Sequence, residues 1–168
     1  MQPALTRRRV LGVLGVCGAG LIAAPRSARA QETALPRPDS LPEAATVAVR
    51  GGEPLVLLVS LPGCQHCERI RRSHLLPMLR ERGHGVVQLD LGSAQPVTDF
   101  DGTRRSHDAV VRAWRINFAP TVLMLDAVGT ELAERLIGAG LADFYGAYLD
   151  ERLQASRNVL ARRMSPRR

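Results

Sequence analysis

Two thiols spaced to meet each other are the residues of this chain best suited to chemistry. Cys64 and Cys67, in Leu61-Pro-Gly-Cys-Gln-His-Cys67, stand where an apolar run gives way to a turn and then to a helical pattern. Sulfurs at i and i+3 of a helix start share one face and can form a disulfide. The first cysteine falls where helix N–H groups lack an intrahelical partner and the helix dipole is positive. Both effects favour the thiolate, so Cys64 is the expected nucleophile, with a depressed pKa. Cys67 lies in line with Ile70, His74 and Met78, which directs it toward the core as a resolving thiol.

Three readings of the pair compete: a redox couple, a metal pair and an inert disulfide. Zinc needs two further ligands. There is no second Cys-x-x-Cys, and His74, His84 and His107 lack zinc-finger spacing. Haem attachment needs a His after the second cysteine, where Glu68 stands. Copper(I) held by the two thiolates is the remaining metal option. An inert bridge across so short a ring contributes little by loop closure, so redox chemistry is the most economical reading. His66, beside both sulfurs, is expected together with Gln65 to tune the pair. A nearby imidazolium lowers the thiolate's energy and raises the disulfide's oxidising power.

The elements that must position these residues follow from the apolar pattern. Leu55–Ser60 reads as a central strand buried on both faces. A helix over Cys64–Arg82 puts Ile70, Leu75, Met78 and Leu79 on one stripe, with a kink at Pro77. Val86–Leu91 is a second strand, parallel to the first across a right-handed crossover. Gly92–Gly102 is long for a loop in so small a domain, which suggests a function or an edge excursion. A helix over Arg104–Arg115 should bury Ala109, Val110 and Trp114. Thr121–Leu125 turns through Asp126–Gly129 into an antiparallel strand within Glu131–Ile137. Leu141–Ala161 closes the chain as a helix with Leu141, Phe144, Tyr145, Tyr148, Leu149 and Leu153 at helical spacing. Asp90, Asp99, Asp101 and Asp126 fit strand ends and turns. Upstream, Gln31–Leu41 is Pro-rich and reads as an extended tether before a short helix, Leu41–Val49, capped by Asp39 or Ser40. The order gives an α/β sandwich, a central mixed sheet flanked by helices on both faces.

Composition bounds the function. All 23 basic residues are arginine, against 16 acids, and the chain's pI is about 10.8. Five of those arginines precede residue 31, in what reads as an export leader. Thr6–Leu11 fits the twin-arginine pattern, Val10–Ala24 is a weakly apolar run too short for a membrane span, and Ala28-Arg-Ala30 offers a cleavage site. Removal after Ala30 leaves 18 arginines against 16 acids, so the basic pI does not point to nucleic acid. Cys17 leaves with the leader, and two cysteines make no disulfide framework. The expected organisation is a leader over 1–30, a tether and short helix over 31–52, one domain over 53–161, and a basic tail over 162–168 carrying Arg162, Arg163, Arg167 and Arg168.

Across Glu53–Leu153 the chain resembles the thioredoxin superfamily. The resemblance rests on a strand, Cys-x-x-Cys at a helix start, Ala119-Pro120-Thr121 opening a later strand, a hairpin with Gly129 and a terminal helix. It implies a thioredoxin-like fold in which Pro120 is cis and lies beside the cysteines. Ala119 then turns its backbone outward, so that Ala119, Pro120 and Thr121 receive an extended substrate. More narrowly, Gln88-Leu-Asp90, Val97–Gly102, Ala119–Thr121 and Gly138 followed by Asp143-Phe144 resemble the periplasmic thioredoxins encoded with bacterial sulfur-oxidation systems.

Three positions depart from the superfamily's pattern. Leu58 stands where a buried acid is common, Gly63 replaces the Trp before the first cysteine, and Gln65-His66 replaces Gly-Pro. A His beside the second cysteine is similar to strong periplasmic oxidants. What the resemblance implies is an exported, monomeric thiol–disulfide oxidoreductase with no cofactor beyond its Cys64–Cys67 disulfide. It would reduce disulfides of periplasmic partner proteins and be re-reduced by a membrane thiol donor. A disulfide-forming oxidase is the alternative on the same site, and a copper-binding chaperone module is the alternative from another class.

Overall fold

The first strand is apolar from Leu55 to Val59 because it has no solvent side. In the computed structural model, which describes residues 34–82, 85–140 and 142–164, every residue of β1 (Leu55–Ser60) is buried. The leader, Cys17, His84, Leu141, Arg167 and Arg168 lie outside the described residues. Helix α1 (Leu41–Arg50) precedes β1. After β1 come α2 (Gln65–Ile70), a π-helical turn (Arg71–Leu75) and α3 (Leu76–Arg82), then β2 (Val86–Asp90). A small hairpin, β3 (Pro96–Thr98) with β4 (Arg104–Ser106), leads to α4 (His107–Ala113). Strands β5 (Thr121–Leu125) and β6 (Leu136–Ile137), a 3₁₀ turn (Ala142–Phe144) and α5 (Tyr145–Met164) complete the order.

The main sheet runs β2-β1-β5-β6. β1 is parallel to β2, Val56 opposite Val86, and antiparallel to β5, Val59 opposite Thr121. Alternation divides the buried side chains between two cores. Leu57, Val59, Leu89 and Leu123 pack against Leu41, Ala45 and Ala48 of α1 and Val110 and Val111 of α4. Val56, Leu58, Val122 and Met124 pack against Ile70, Leu75, Leu76 and Met78 of the second helical stretch and Tyr145, Leu149 and Leu153 of α5. The fold is thioredoxin-like, a mixed sheet covered by helices on both faces. The chain is part of it from Leu35, which is 2% exposed. Pro36 accepts the Gln88 N–H, Asp39 accepts the Thr98 N–H, and the Ser40 hydroxyl caps α1 through the Glu43 N–H.

Several boundaries differ from the expected ones, each for a local reason. The expected kink at Pro77 takes the form of the π turn, in which the Leu76 N–H reaches the Arg71 carbonyl. Pro77 has no N–H to continue the ladder, and the preceding turn absorbs the offset. The helix expected from Arg104 begins at His107, because Ser106 is its cap, accepting the Ala109 N–H at 3.1 Å. Arg104–Ser106 pairs instead with Pro96–Thr98, which closes the long 92–102 segment into a hairpin. The later start turns Ala109 outward, and His107, Val110 and Val111 take the buried face. In the last helix Tyr145, Leu149 and Leu153 are buried and Tyr148 is exposed, and Phe144, in the 3₁₀ turn before the helix, is exposed as well. Only one side of α5 meets the sheet, so its apolar stripe is narrower than the sequence spacing suggests. Arg162 and Arg163 belong to α5, and Arg163 pairs with Asp126 at 2.6 Å.

Candidate active site

The turn after β1 delivers the sulfurs. Cys64 donates its N–H to the Leu61 carbonyl, and Gly63 takes φ +75°, a left-handed conformation that only glycine adopts freely. Cys64 then caps α2 with its own side chain: Sγ accepts the Cys67 N–H at 3.1 Å. The two cysteines are joined in a disulfide, with Cα atoms 5.3 Å apart. Cys67 is 1% exposed and packed inside, while Cys64 is partly open to solvent. Gln65 and His66 are both exposed.

The second wall comes from the start of β5. Register places Val59 opposite Thr121, so the 61–64 turn and the 118–120 turn leave the same end of the sheet. The Ala119–Pro120 peptide bond is cis. Pro120 accepts the Gly138 N–H at 2.8 Å, and the buried Thr121 hydroxyl donates to the Phe118 carbonyl at 2.8 Å, which holds the turn. Ala119 is half-exposed, and Phe118 beside it is 68% exposed.

On the other side of Cys64 the structure assembles a polar floor that the motif reading does not anticipate. Gln88 and Asp90 alternate onto the α2 face of β2, where apolar residues would otherwise pack. Gln88 donates to Asp90 at 2.5 Å and accepts from Arg71 Nε at 2.9 Å. Arg71, in the π turn, also bonds Ser60 Oγ at 3.1 Å and pairs with Glu68. Arg37, from the N-terminal segment, closes the chain with Nε 2.5 Å from Asp90. These groups line a cavity of about 520 Å³ together with Cys64. Their sequence signal was the pair of polar residues at alternate positions of a strand buried on both faces. Leu58, where the superfamily often has an acid, lies opposite Gln88 and is fully buried. Asp90 therefore does more than end a strand. Asp99, Asp101 and Asp126 do serve turns, accepting backbone N–H groups. Behind Asp90, the buried His107 accepts the Asp90 N–H through Nδ1 at 3.2 Å, and burial lowers its pKa.

Among the described residues no three His, Cys, Asp or Glu side chains gather as metal ligands. A thiol at a glycine turn capping a helix, a shielded partner thiol and an X–Pro turn at the same sheet end fit a thiol–disulfide exchange site. The chain belongs to the thioredoxin-like domain family, whose sequence profile matches residues 41–152. With the Cys64–Cys67 disulfide in that domain, the protein is a thiol–disulfide oxidoreductase. No curated protein matches the chain. Solved structures with a similar course include a DsbH oxidoreductase, at 18% identity and TM-score 0.49, covering 82% of this chain and 94% of that one. Another is mitochondrial thioredoxin 3 of Saccharomyces cerevisiae in its oxidized form, at 15% identity and TM-score 0.47, covering 73% and 96%. The oxidised C-terminal domain of DsbD from Neisseria meningitidis is similar at 16% identity and TM-score 0.45, covering 66% and 90%.

Proposed function

We propose that the protein is an exported disulfide reductase acting on periplasmic partner proteins, with Cys64 as nucleophile and Cys67 as resolving thiol. The observation that carries the assignment of roles is the asymmetry of the pair. Cys64 Sγ already receives a helix N–H and is reachable, while Cys67 is 1% exposed. In the reduced protein the same N–H, and the positive end of the helix, favour a thiolate on Cys64. That thiolate attacks a substrate disulfide, and Cys67 then attacks Cys64, releasing the reduced substrate and leaving the Cys64–Cys67 bond. Ala119 and Pro120 receive the extended substrate backbone, Thr121 holds their turn, and His66 and Gln65 tune the pair from the exposed first turn of α2.

Export is supported by the Thr6–Leu11 and Ala28–Ala30 patterns, and no described helix is long and apolar enough to cross a membrane. The leader is removed after Ala30. An oxidising compartment requires a membrane thiol donor to return the electrons, and the resemblance to thioredoxins of sulfur-oxidation systems supports partners of that kind. A Cys67→Ala variant produced in the cell should accumulate reductant-sensitive mixed disulfides through Cys64. In the parent protein the pair should be largely reduced at steady state. A fully oxidised pair in the cell would reverse the direction and make the protein a disulfide-forming oxidase.

A further inference from the structure

The cavity beside Cys64 is lined apart from the X–Pro turn. Its volume, about 520 Å³, lies within the roughly 300–1,000 Å³ of small-molecule sites. Cys64 forms part of its wall, exposed Leu61 and Pro62 form an apolar rim, and buried Ser60, Gln88 and Asp90 form its floor. Ala119 and Pro120 do not line it. A ligand in the cavity would thus approach the same sulfur from a different side than a protein chain laid along the X–Pro turn.

The charges in this cavity are fixed in position. Each of the three guanidinium nitrogens of Arg71 is engaged, by Gln88, Glu68 and Ser60. Arg37 is engaged among the described residues only through Nε, on Asp90, and its side chain is 37% exposed. One cation and one carboxylate therefore stand side by side at the cavity wall, with guanidinium N–H groups left to donate. That arrangement complements an α-amino-acid headgroup, whose carboxylate and ammonium are also adjacent. A segment inside a polypeptide carries no such headgroup.

We propose that this cavity binds low-molecular-weight disulfides bearing α-amino-acid headgroups and presents them to Cys64, so that the protein reduces small disulfides as well as protein ones. The proposal rests on the thiol–disulfide reading of the Cys64–Cys67 pair. The Cys64 thiolate attacks one ligand sulfur: the ligand S–S bond breaks, a Cys64–ligand disulfide forms, and one thiolate leaves and takes up a proton. Cys67 loses its proton and attacks Cys64, the Cys64–Cys67 bond forms, and the second thiolate leaves with that proton. Two electrons pass from the protein dithiol, the stoichiometric reductant, to the ligand, which departs as two thiols.

The test is a single turnover of the reduced exported chain, which starts at Gln31 and carries only Cys64 and Cys67, freed of reductant, with excess glutathione disulfide or with 2-hydroxyethyl disulfide, which has no headgroup. Oxidation of the dithiol is followed by quenching, alkylation and mass measurement. The rate with glutathione disulfide should saturate, and Arg37→Gln should raise the half-saturating concentration about tenfold, the order of one charge-assisted hydrogen bond. Arg37→Lys, which keeps the cation, should stay within about threefold of the parent. The rate with 2-hydroxyethyl disulfide should rise linearly and be the same in all three proteins. A linear rate with glutathione disulfide, or an Arg37→Gln effect equal for both disulfides, overturns the proposal. If neither disulfide oxidises the dithiol, the underlying oxidoreductase reading falls with it.

Discussion

The proposed role of Cys64 as nucleophile rests on where its sulfur meets the backbone. Cys64 is the cap of α2, and the Cys67 N–H points at its sulfur, whereas Cys67 is buried. Alkylation of the reduced protein at pH 7 should therefore show one fast site, at Cys64, and a Cys67 that reacts only after unfolding. Equal rates at both thiols, each titrating near the ordinary value of about 8.5, would defeat the assignment. His66 stands between the two cysteines in the exposed first turn of α2, so its contribution to the potential is tested by replacing it. About 1 kcal/mol of thiolate stabilisation corresponds to roughly 20 mV for a two-electron couple. The pair should accordingly sit above the roughly −270 mV of a cytosolic thioredoxin, and His66→Pro should make it more reducing by tens of millivolts at most. An unchanged potential would leave His66 a surface residue and strengthen the reductase reading over the oxidase one.

At the scale of elements, the 92–102 segment braces the fold. Asp99 and Asp101 are tied by Arg105 at 2.8 and 2.6 Å, and Phe100 at the turn stacks on Trp114 with ring centroids 6.0 Å apart. The same ring lies against Gly129 in the β5–β6 connection, where an added Cβ would meet Phe100 at 2.5 Å and where φ is +84°. Gly129→Ala should lower stability by about 2–3 kcal/mol, combining the left-handed penalty with overpacking. The readout is the urea midpoint, with Cys64 alkylation unchanged. A loss of only about 1 kcal/mol, the left-handed penalty by itself, would mean that the Phe100 ring swings aside freely and that the brace is loose.

At the scale of the molecule, the N-terminal segment holds the sheet end together. Leu35 fills the core shared by α3 and α5, and Arg37 reaches Asp90. Leu35→Ala should cost about 2–4 kcal/mol, as for other buried leucines, and a change near zero would show the segment to be undocked in solution. Burial also gives the fold a pH limit. The pKa of His107 is lowered by desolvation and by Arg37, with Asp90 opposing; that of His74 is lowered by burial, with Asp150 opposing. Below about pH 6.5 the unfolded chain binds protons at these positions that the folded chain does not. Stability should therefore fall as the pH drops from about 6.5 toward the lowered folded values, and be insensitive to these groups above it. His107→Gln, which keeps an acceptor for the Asp90 N–H, should flatten part of that slope between pH 5 and 7. An unaltered slope would remove His107 from the account.

By itself the sequence determined what depends on neighbours along the chain. The turn before Cys64, the capping position of that cysteine, the strand Leu55–Ser60 and the disruption at Pro77 are encoded within a few residues. Local stereochemistry and apolar periodicity suffice to read them. The Ala119-Pro120-Thr121 corner was legible only through the family resemblance. The start of α4 was less legible, since Arg104–Ser106 has no strong strand pattern of its own and pairs only because Pro96–Thr98 returns beside it. Exposure of Phe144 and Tyr148 was likewise undetermined, because helical spacing marks a possible stripe and only the partner sheet fixes its width. Of the polar floor beside Cys64, only the alternating Gln88 and Asp90 of a buried strand were marked in the sequence, and its assembly was decided by tertiary structure. Arg37, Ser60, Glu68, Arg71, Gln88 and Asp90 come from four elements and the N-terminal segment, and they meet because β1 and β2 pair in one register with the π turn above them. Hydrogen bonds and ion pairs between residues so far apart in the chain leave no periodicity in the sequence, so only the folded chain shows them.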